Sequence, residues 1–193
     1  PSFIKRIESY SFCCCQKLSV IEIPEDSKLQ TIGYGAFCLS SIECLTIPSN
    51  LTDLQDGWCL ETWKLTKIFV SQNNPRYSLY EDKIIIGKST IENDVYDVLV
   101  FSVRNIEKVK IPDFIKRIET AAFHYCKKIK SFEISANSEL QIIGNSAFSN
   151  SSIESIKIPQ YIRKIDDSSF SYCKKFIKVC ITILFKIWSI RLI

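Results

Sequence analysis

Nine cysteines, a single histidine and a Gly-Lys-Ser-Thr run are the residues of this 193-residue chain whose chemistry invites a reactive or metal site. The thiols include the run Cys13-Cys14-Cys15, but no C-x-x-C pair occurs and no second cluster stands at ligand spacing, so a tetrahedral metal site lacks its paired ligands. Cys15, Cys126 and Cys173 each follow a phenylalanine by three residues, and Ser40, Thr62 and Ser151 hold the same place elsewhere, which reads as a slot for a small, half-buried side chain. An odd number of thiols leaves one unpaired, so cysteine usage does not fix the redox compartment. His124, in "AAFHYC", has no nucleophile at a recognisable spacing and is expected in an exposed turn. The run Gly87 to Thr90 resembles the end of a phosphate-binding loop, yet Asp82 occupies the place of the required first glycine and sets a carboxylate where phosphates would lie. Asp53, Asp56, Asp166 and Asp167 recur near the start of one segment type; acid-base work would need unequal environments in a cleft, so they are expected as solvated turn acids. Two N-x-S/T sequons, at Asn50 and Asn150, are candidate glycosylation positions. No catalytic residue, cofactor or metal site emerges, and an enzyme is not expected.

The elements that must carry these residues are repeats. "PSFIKRIE" at the start recurs as "PDFIKRIE" from Pro112, and residues 1–48 match residues 112–159 without a gap at 25 positions. A shorter unit lies beneath this duplication, an Ile or Leu followed five positions later by a large apolar residue: Ile7/Phe12, Ile32/Phe37, Leu54/Cys59, Ile118/Phe123, Ile143/Phe148 and Ile165/Phe170. After each comes an apolar triplet of the form L-x-x-I-x-I, such as Ile42/Leu45/Ile47 or Ile153/Ile156/Ile158, and a seventh triplet, Ile106/Val109/Ile111, has no Phe unit directly before it. Most triplets start 23 or 24 residues apart, within the period of leucine-rich repeats. The last two apolar residues of a triplet sit two apart, so a short strand turns both to one side and only neighbouring repeats can cover them. Proline after the triplet, as at Pro24, Pro48, Pro112 and Pro159, ends the strand, and Phe is the plug of the return segment.

"IPDFIKRIETAAFHYC" and "LQIIGNSAFSNSSIESIKIP" closely resemble the BspA-like subclass of leucine-rich repeats, over about residues 1–181. The resemblance implies a leucine-rich repeat solenoid, an α/β-type, horseshoe-like right-handed coil of mostly short parallel strands and turns, and a surface or secreted binding protein, often in adhesion. The step from Leu65 to Ile106 is 41 residues, and the excess is expected to form a β-hairpin insertion over about 73–101 with apolar runs at Ile84 to Ile86 and Val98 to Phe101. Asn74, Pro75, Tyr77 and Ser78 match an N-P-x-Y-S insertion of the family, while "EDK" replaces its usual D-G turn. The chain has no methionine and begins in mid-repeat, so its natural start is expected upstream. The tail at 182–193 is apolar but interrupted by Lys186 and Arg191, which favours a cap on the last repeat over a membrane span.

Composition, 46% hydrophobic and 24% charged, is that of a folded domain with a core. Residues 1–111 carry 12 basic and 14 acidic groups and residues 112–193 carry 13 and 7, which makes the second part the basic one. No clustered Arg and aromatic motif of a nucleic-acid module appears, and a nucleic-acid partner is not expected. The face expected to bind is the set of strand positions between the buried ones, where Lys67, Phe69, Lys108 and Lys110 mix aromatic and cationic groups. The expected partner is a protein or an acidic glycan on a host or neighbouring cell surface. The competing reading is an intracellular scaffold using the same face, which an upstream signal peptide would separate from the first.

Overall fold

The computed structural model describes residues 3–181 and divides into two compact units, Pro1–Tyr96 and Asp97–Ile193. Each unit is a β-solenoid of stacked coils, in which strand residues stand in register with their counterparts one coil later.

In the first unit the two-residue strands β1 (Arg6–Ile7), β2 (Thr31–Ile32) and β4 (Asp53–Leu54) form one parallel ladder, with Ile7, Ile32 and Leu54 in register. The four-residue strands β3 (Cys44–Ile47) and β5 (Lys67–Val70) form a second, with Leu45 opposite Ile68 and Ile47 opposite Val70. Strand β6 (Tyr77–Tyr80) then pairs antiparallel with β7 (Ile84–Gly87) across Glu81, Asp82 and Lys83, and the first two of these take positive φ. That left-handed pair gives "EDK" the geometry a tight hairpin needs without glycine.

The second unit begins with β8 (Val98–Ser102), the other apolar run of the expected insertion, which pairs in parallel with β10 (Arg117–Ile118) as a coil strand of its own. Strands β10, β12 (Ile142–Ile143) and β14 (Lys164–Ile165) continue that ladder. On the other ladder β9 (Lys108–Ile111) pairs with β11 (Ser131–Ile134), and β13 (Ser155–Ile158) with β15 (Lys178–Ile181), all in parallel.

No helix forms among the described residues; the return segments that an α/β horseshoe would make helical are runs of tight turns. The reason lies in the backbone. Two residues before and two after each repeat plug, φ is positive: Tyr10 and Cys14 flank Phe12, Gly35 and Leu39 flank Phe37, Gly57 and Glu61 flank Cys59. The second unit does the same with Ala121 and Tyr125, Ser146 and Asn150, Ser168 and Tyr172, each 111 positions after its counterpart. Alternate N–H groups close turns, as Cys13 N does on Tyr10 O at 3.0 Å, while those between them donate to the next coil, as Phe12 N does to Ala36 O and Cys14 N to Cys38 O, both at 2.8 Å. A segment whose amides are shared between turns and neighbours has none left for an α-helical ladder. The coils approach so closely that a Cβ on Gly144 would lie 2.8 Å from Thr120 N, and on Gly33 2.5 Å from Ser9 N.

The plugs form the core. Phe37, Phe123 and Phe148 are fully buried, and stacked rings run from Phe123 to Phe148 at 5.1 Å, Phe148 to Phe170 at 5.2 Å and Phe12 to Phe37 at 5.6 Å.

Candidate functional site

Strand alternation sends every second side chain of the four-residue strands outward. On the first unit these are Cys44 and Thr46, half-buried, and Lys67 and Phe69, exposed; Val20, bridged to Cys44, is exposed as well. Phe69 shows 56% of its surface, an apolar ring with no core role, while Ile68 between it and Lys67 is buried. On the second unit Lys108, Lys110, Glu133, Ser155, Lys157 and Lys178 are exposed and Ser131 is half-buried. Register places Lys108 opposite Ser131 and Lys110 opposite Glu133. The four residues expected to bind thus lie on two strands, Lys67 and Phe69 on β5 and Lys108 and Lys110 on β9, one in each unit. At the border of the second face Lys130 Nζ meets Glu107 Oε2 at 2.8 Å, and that hydrogen bond, with the charge behind it, holds the Glu107 carboxyl below its usual range.

His124 departs from expectation. It is buried at 4% exposure, its ring edge-on to Tyr125 at 4.8 Å. Burial first, then the charges of Arg104 and Lys127, push its pKa down to about 3, so the imidazole is neutral in the folded chain. Nothing in the local sequence marks it as buried: the position follows a plug directly, where the turn run folds back on the core.

Arg104 escaped sequence reasoning altogether. It is 3% exposed; its guanidinium lies 4.4 Å from the Phe101 ring centroid and donates to the carbonyls of Ala121 at 3.3 Å and Ala122 at 3.0 Å. Its coil is short, with seven residues from Leu99 to Ile106 against eleven from Ile118 to Ile129, which share their registers. Phe101 and Arg104 fill the place of the missing return segment, and the triplet with no Phe before it was the signal. Asn74 was legible in the sequence only as part of the N-P-x-Y-S match, not as an anchor. Buried, it donates to Pro48 O at 2.7 Å and Leu51 O at 2.8 Å and accepts from Arg76 N at 3.0 Å and Tyr77 N at 2.8 Å, so the last coil of the first unit is tied to the hairpin.

The remaining candidates are structural. Lys88 of the Gly-Lys-Ser-Thr run points its Nζ at the Tyr96 ring, 5.5 Å from the centroid. Asp166 is half-buried and paired with Lys164, Asp53 is half-buried within β4, and Asp56 and Asp167 are exposed. The small-residue slot is deeper than expected at Cys126, Ser40, Thr62 and Ser151, all buried. Cys173 Sγ donates to Phe148 O at 3.0 Å, and burial pushes the Cys126 and Cys173 thiols up. Among the described residues no three His, Cys, Asp or Glu side chains are placed to hold a metal ion, and no helix is long and apolar enough to cross a membrane. The tail at 182–193 lies outside the described residues. Of the sequons, the Asn50 amide donates to Ser27 O at 2.8 Å, and Asn150 sits in a turn at φ 58°.

A family model described as the BspA type leucine-rich repeat region matches residues 1–98 and 89–188, in six copies. No curated protein matches the sequence. A leucine-rich repeat protein from Eubacterium ventriosum shares the fold at a TM-score of 0.78 and 22% identity, over 90% of this chain and 44% of that one. The pneumococcal vaccine antigen PcpA does so at 0.76 and 21%, over 94% and 49%. A leucine rich cell surface protein from Faecalibacterium prausnitzii does so at 0.71 and 22%, over 93% and 52%. The chain therefore spans about half the length of these structures.

Proposed function

The chain belongs to the BspA-type leucine-rich repeat family, and from that premise we propose that it is a non-enzymatic recognition module of a cell-surface or secreted protein. One observation carries the reading: outward strand positions hold an exposed ring and exposed cations, Lys67 and Phe69 on one unit and Lys108 and Lys110 on the other, on strands whose inner sides build the core. On each unit these positions lie in a hydrogen-bonded parallel ladder, so a partner loses little binding energy to ordering them. Mixed aromatic and ammonium groups suit a protein or an acidic glycan on a host or neighbouring cell surface. The surface location draws support from neighbours described as a cell surface protein and a vaccine antigen. Under this reading Asn50 and Asn150 are glycan acceptors, Asn50 after giving up its bond to Ser27, and the hairpin of β6 and β7 lengthens one repeat within a single repeat array over residues 1–181. The nine cysteines, none of them in a disulfide, favour a second reading, an intracellular scaffold using the same face.

The test replaces Lys67, Lys108 and Lys110 together by Glu and measures binding to heparin, a model acidic glycan, at low salt. Binding is expected to fall at least tenfold, about 1.4 kcal/mol, with the far-ultraviolet spectrum unchanged. Unaltered binding removes these residues from the site. Surface labelling of cells expressing the full-length protein separates the two locations.

A further inference from the structure

The thiols of Cys13, Cys14 and Cys38 are used by nothing described above. Cys13 and Cys38 each follow a repeat plug directly, in successive coils of the first unit. Their plugs stack, Phe12 on Phe37 at 5.6 Å with the rings 9° from parallel, and the backbone is locked on both sides by Phe12 N to Ala36 O and Cys14 N to Cys38 O, both 2.8 Å. Neighbouring strands of stacked coils run about 4.8 Å apart, inside the about 4.4–6.8 Å that a disulfide requires between Cα atoms. Cys13 Sγ lies 3.6 Å from Cys14 Sγ, and Cys38 stands on the adjoining coil, its carbonyl accepting from Cys14 N at 2.8 Å.

We propose that Cys13 and Cys38 form a disulfide that staples the first two coils of the first unit. The internal duplication supplies independent support. At the places 111 residues later stand His124, Tyr125 and Ser149, on a backbone with the same turns, so the fold does not need thiols there. Both ends of the cross-link are thiols in the first copy and neither is in the second. A vicinal Cys13–Cys14 bond is the poorer product, because it closes a ring through one trans peptide, whereas Cys13 and Cys38 stand directly after stacked plugs on adjoining coils.

The step balances with a small disulfide such as oxidised glutathione. One protein thiolate attacks it and releases one glutathione thiol; the second protein thiolate attacks the mixed disulfide at the protein sulfur and releases the other. Two protein thiols are oxidised and one small disulfide is reduced. Burial, with the neighbouring Cys13, pushes the Cys38 thiol up to about 12, so thiolate is scarce and oxidation should quicken as pH rises. The closed loop of about 25 residues removes freedom from the unfolded chain, which raises stability.

The experiment incubates the whole folded chain with oxidised glutathione and maps cross-links by mass spectrometry without reduction. Trypsin cleaves at Arg6, Lys17, Lys28 and Lys64, which separates Cys13 from Cys38. The expected product is peptide 7–17 joined to peptide 29–64 with two hydrogens lost, fragmenting to a Cys13–Cys38 bond. It should persist in Cys14→Ser, vanish in Cys13→Ser and raise the urea midpoint until a reductant is added. Cys38 remaining fully alkylatable in the oxidised wild-type chain overturns the proposal, as does a dominant Cys13–Cys14 bond. These two outcomes are read on the wild type, so they stand even if a variant fails to fold; Cys38→Ser provides the second variant.

Discussion

Phe123 and Phe12 occupy one position of the duplicated block and should not cost the same to remove. Phe123 is fully buried, against Phe148 at 5.1 Å and Phe132 at 5.4 Å, whereas Phe12 is half-buried and stacks on Phe37. Phe123→Ala should therefore lose about 3–5 kcal/mol by urea unfolding, and Phe12→Ala about half of that, because less surface leaves water at Phe12 on folding. Equal losses would mean that plug burial is not what stabilises the coil. His124 makes a prediction in pH. Its folded value is depressed to about 3 from 6.5, so the unfolded chain takes up a proton that the folded chain refuses. The stability contributed by the neutral ring is complete above pH 6.5 and is lost as pH falls from there toward about 3. His124→Gln should be the less stable chain near pH 7, and its deficit should shrink on acidification to about pH 4. A deficit independent of pH would place the imidazole in water.

Strands of two and four residues hold together only through register, since none could persist alone. Ile7, Ile32 and Leu54 line up in the first unit and Leu99, Ile118, Ile143 and Ile165 in the second, so each short strand borrows cover from the next. The hairpin is anchored differently, through side chains, with Asn74 foremost. Asn74 has all four of its hydrogen bonds to backbone, and Tyr77 Oη accepts from Leu54 N at 3.0 Å, which satisfies an outer amide of the β1-β2-β4 ladder. Asn74→Ala strands buried carbonyls and amides and should cost about 2–4 kcal/mol, with faster hydrogen exchange over residues 77–87. Exchange unchanged there would show that the antiparallel pair stands without its anchor.

Binding by the proposed face would draw on charges spread along whole strands, so it should weaken as salt rises, and the Lys67, Lys108 and Lys110 triple variant should lose most of that dependence. Much of this molecule is legible in its sequence. The period near 23 and the L-x-x-I-x-I triplets fix which residues face inward, because alternation along a strand is dictated locally, and the offset of 111 predicts the repeated turns found at Tyr10 and Ala121 or Leu39 and Asn150. The family was legible as a resemblance, carried by stretches such as "IPDFIKRIETAAFHYC". Other features depended on neighbours in space. Whether the return segments became helices or turns was decided by amides donated from one coil to the next, which no single segment contains. The pairing of Val98–Ser102 with Arg117–Ile118, the burial of Arg104 in a coil four residues short, and the burial of His124 beside Tyr125 likewise arise from what a neighbouring coil offers. Local spacing sets the direction of a side chain; only the stacking of coils sets how much water remains around it.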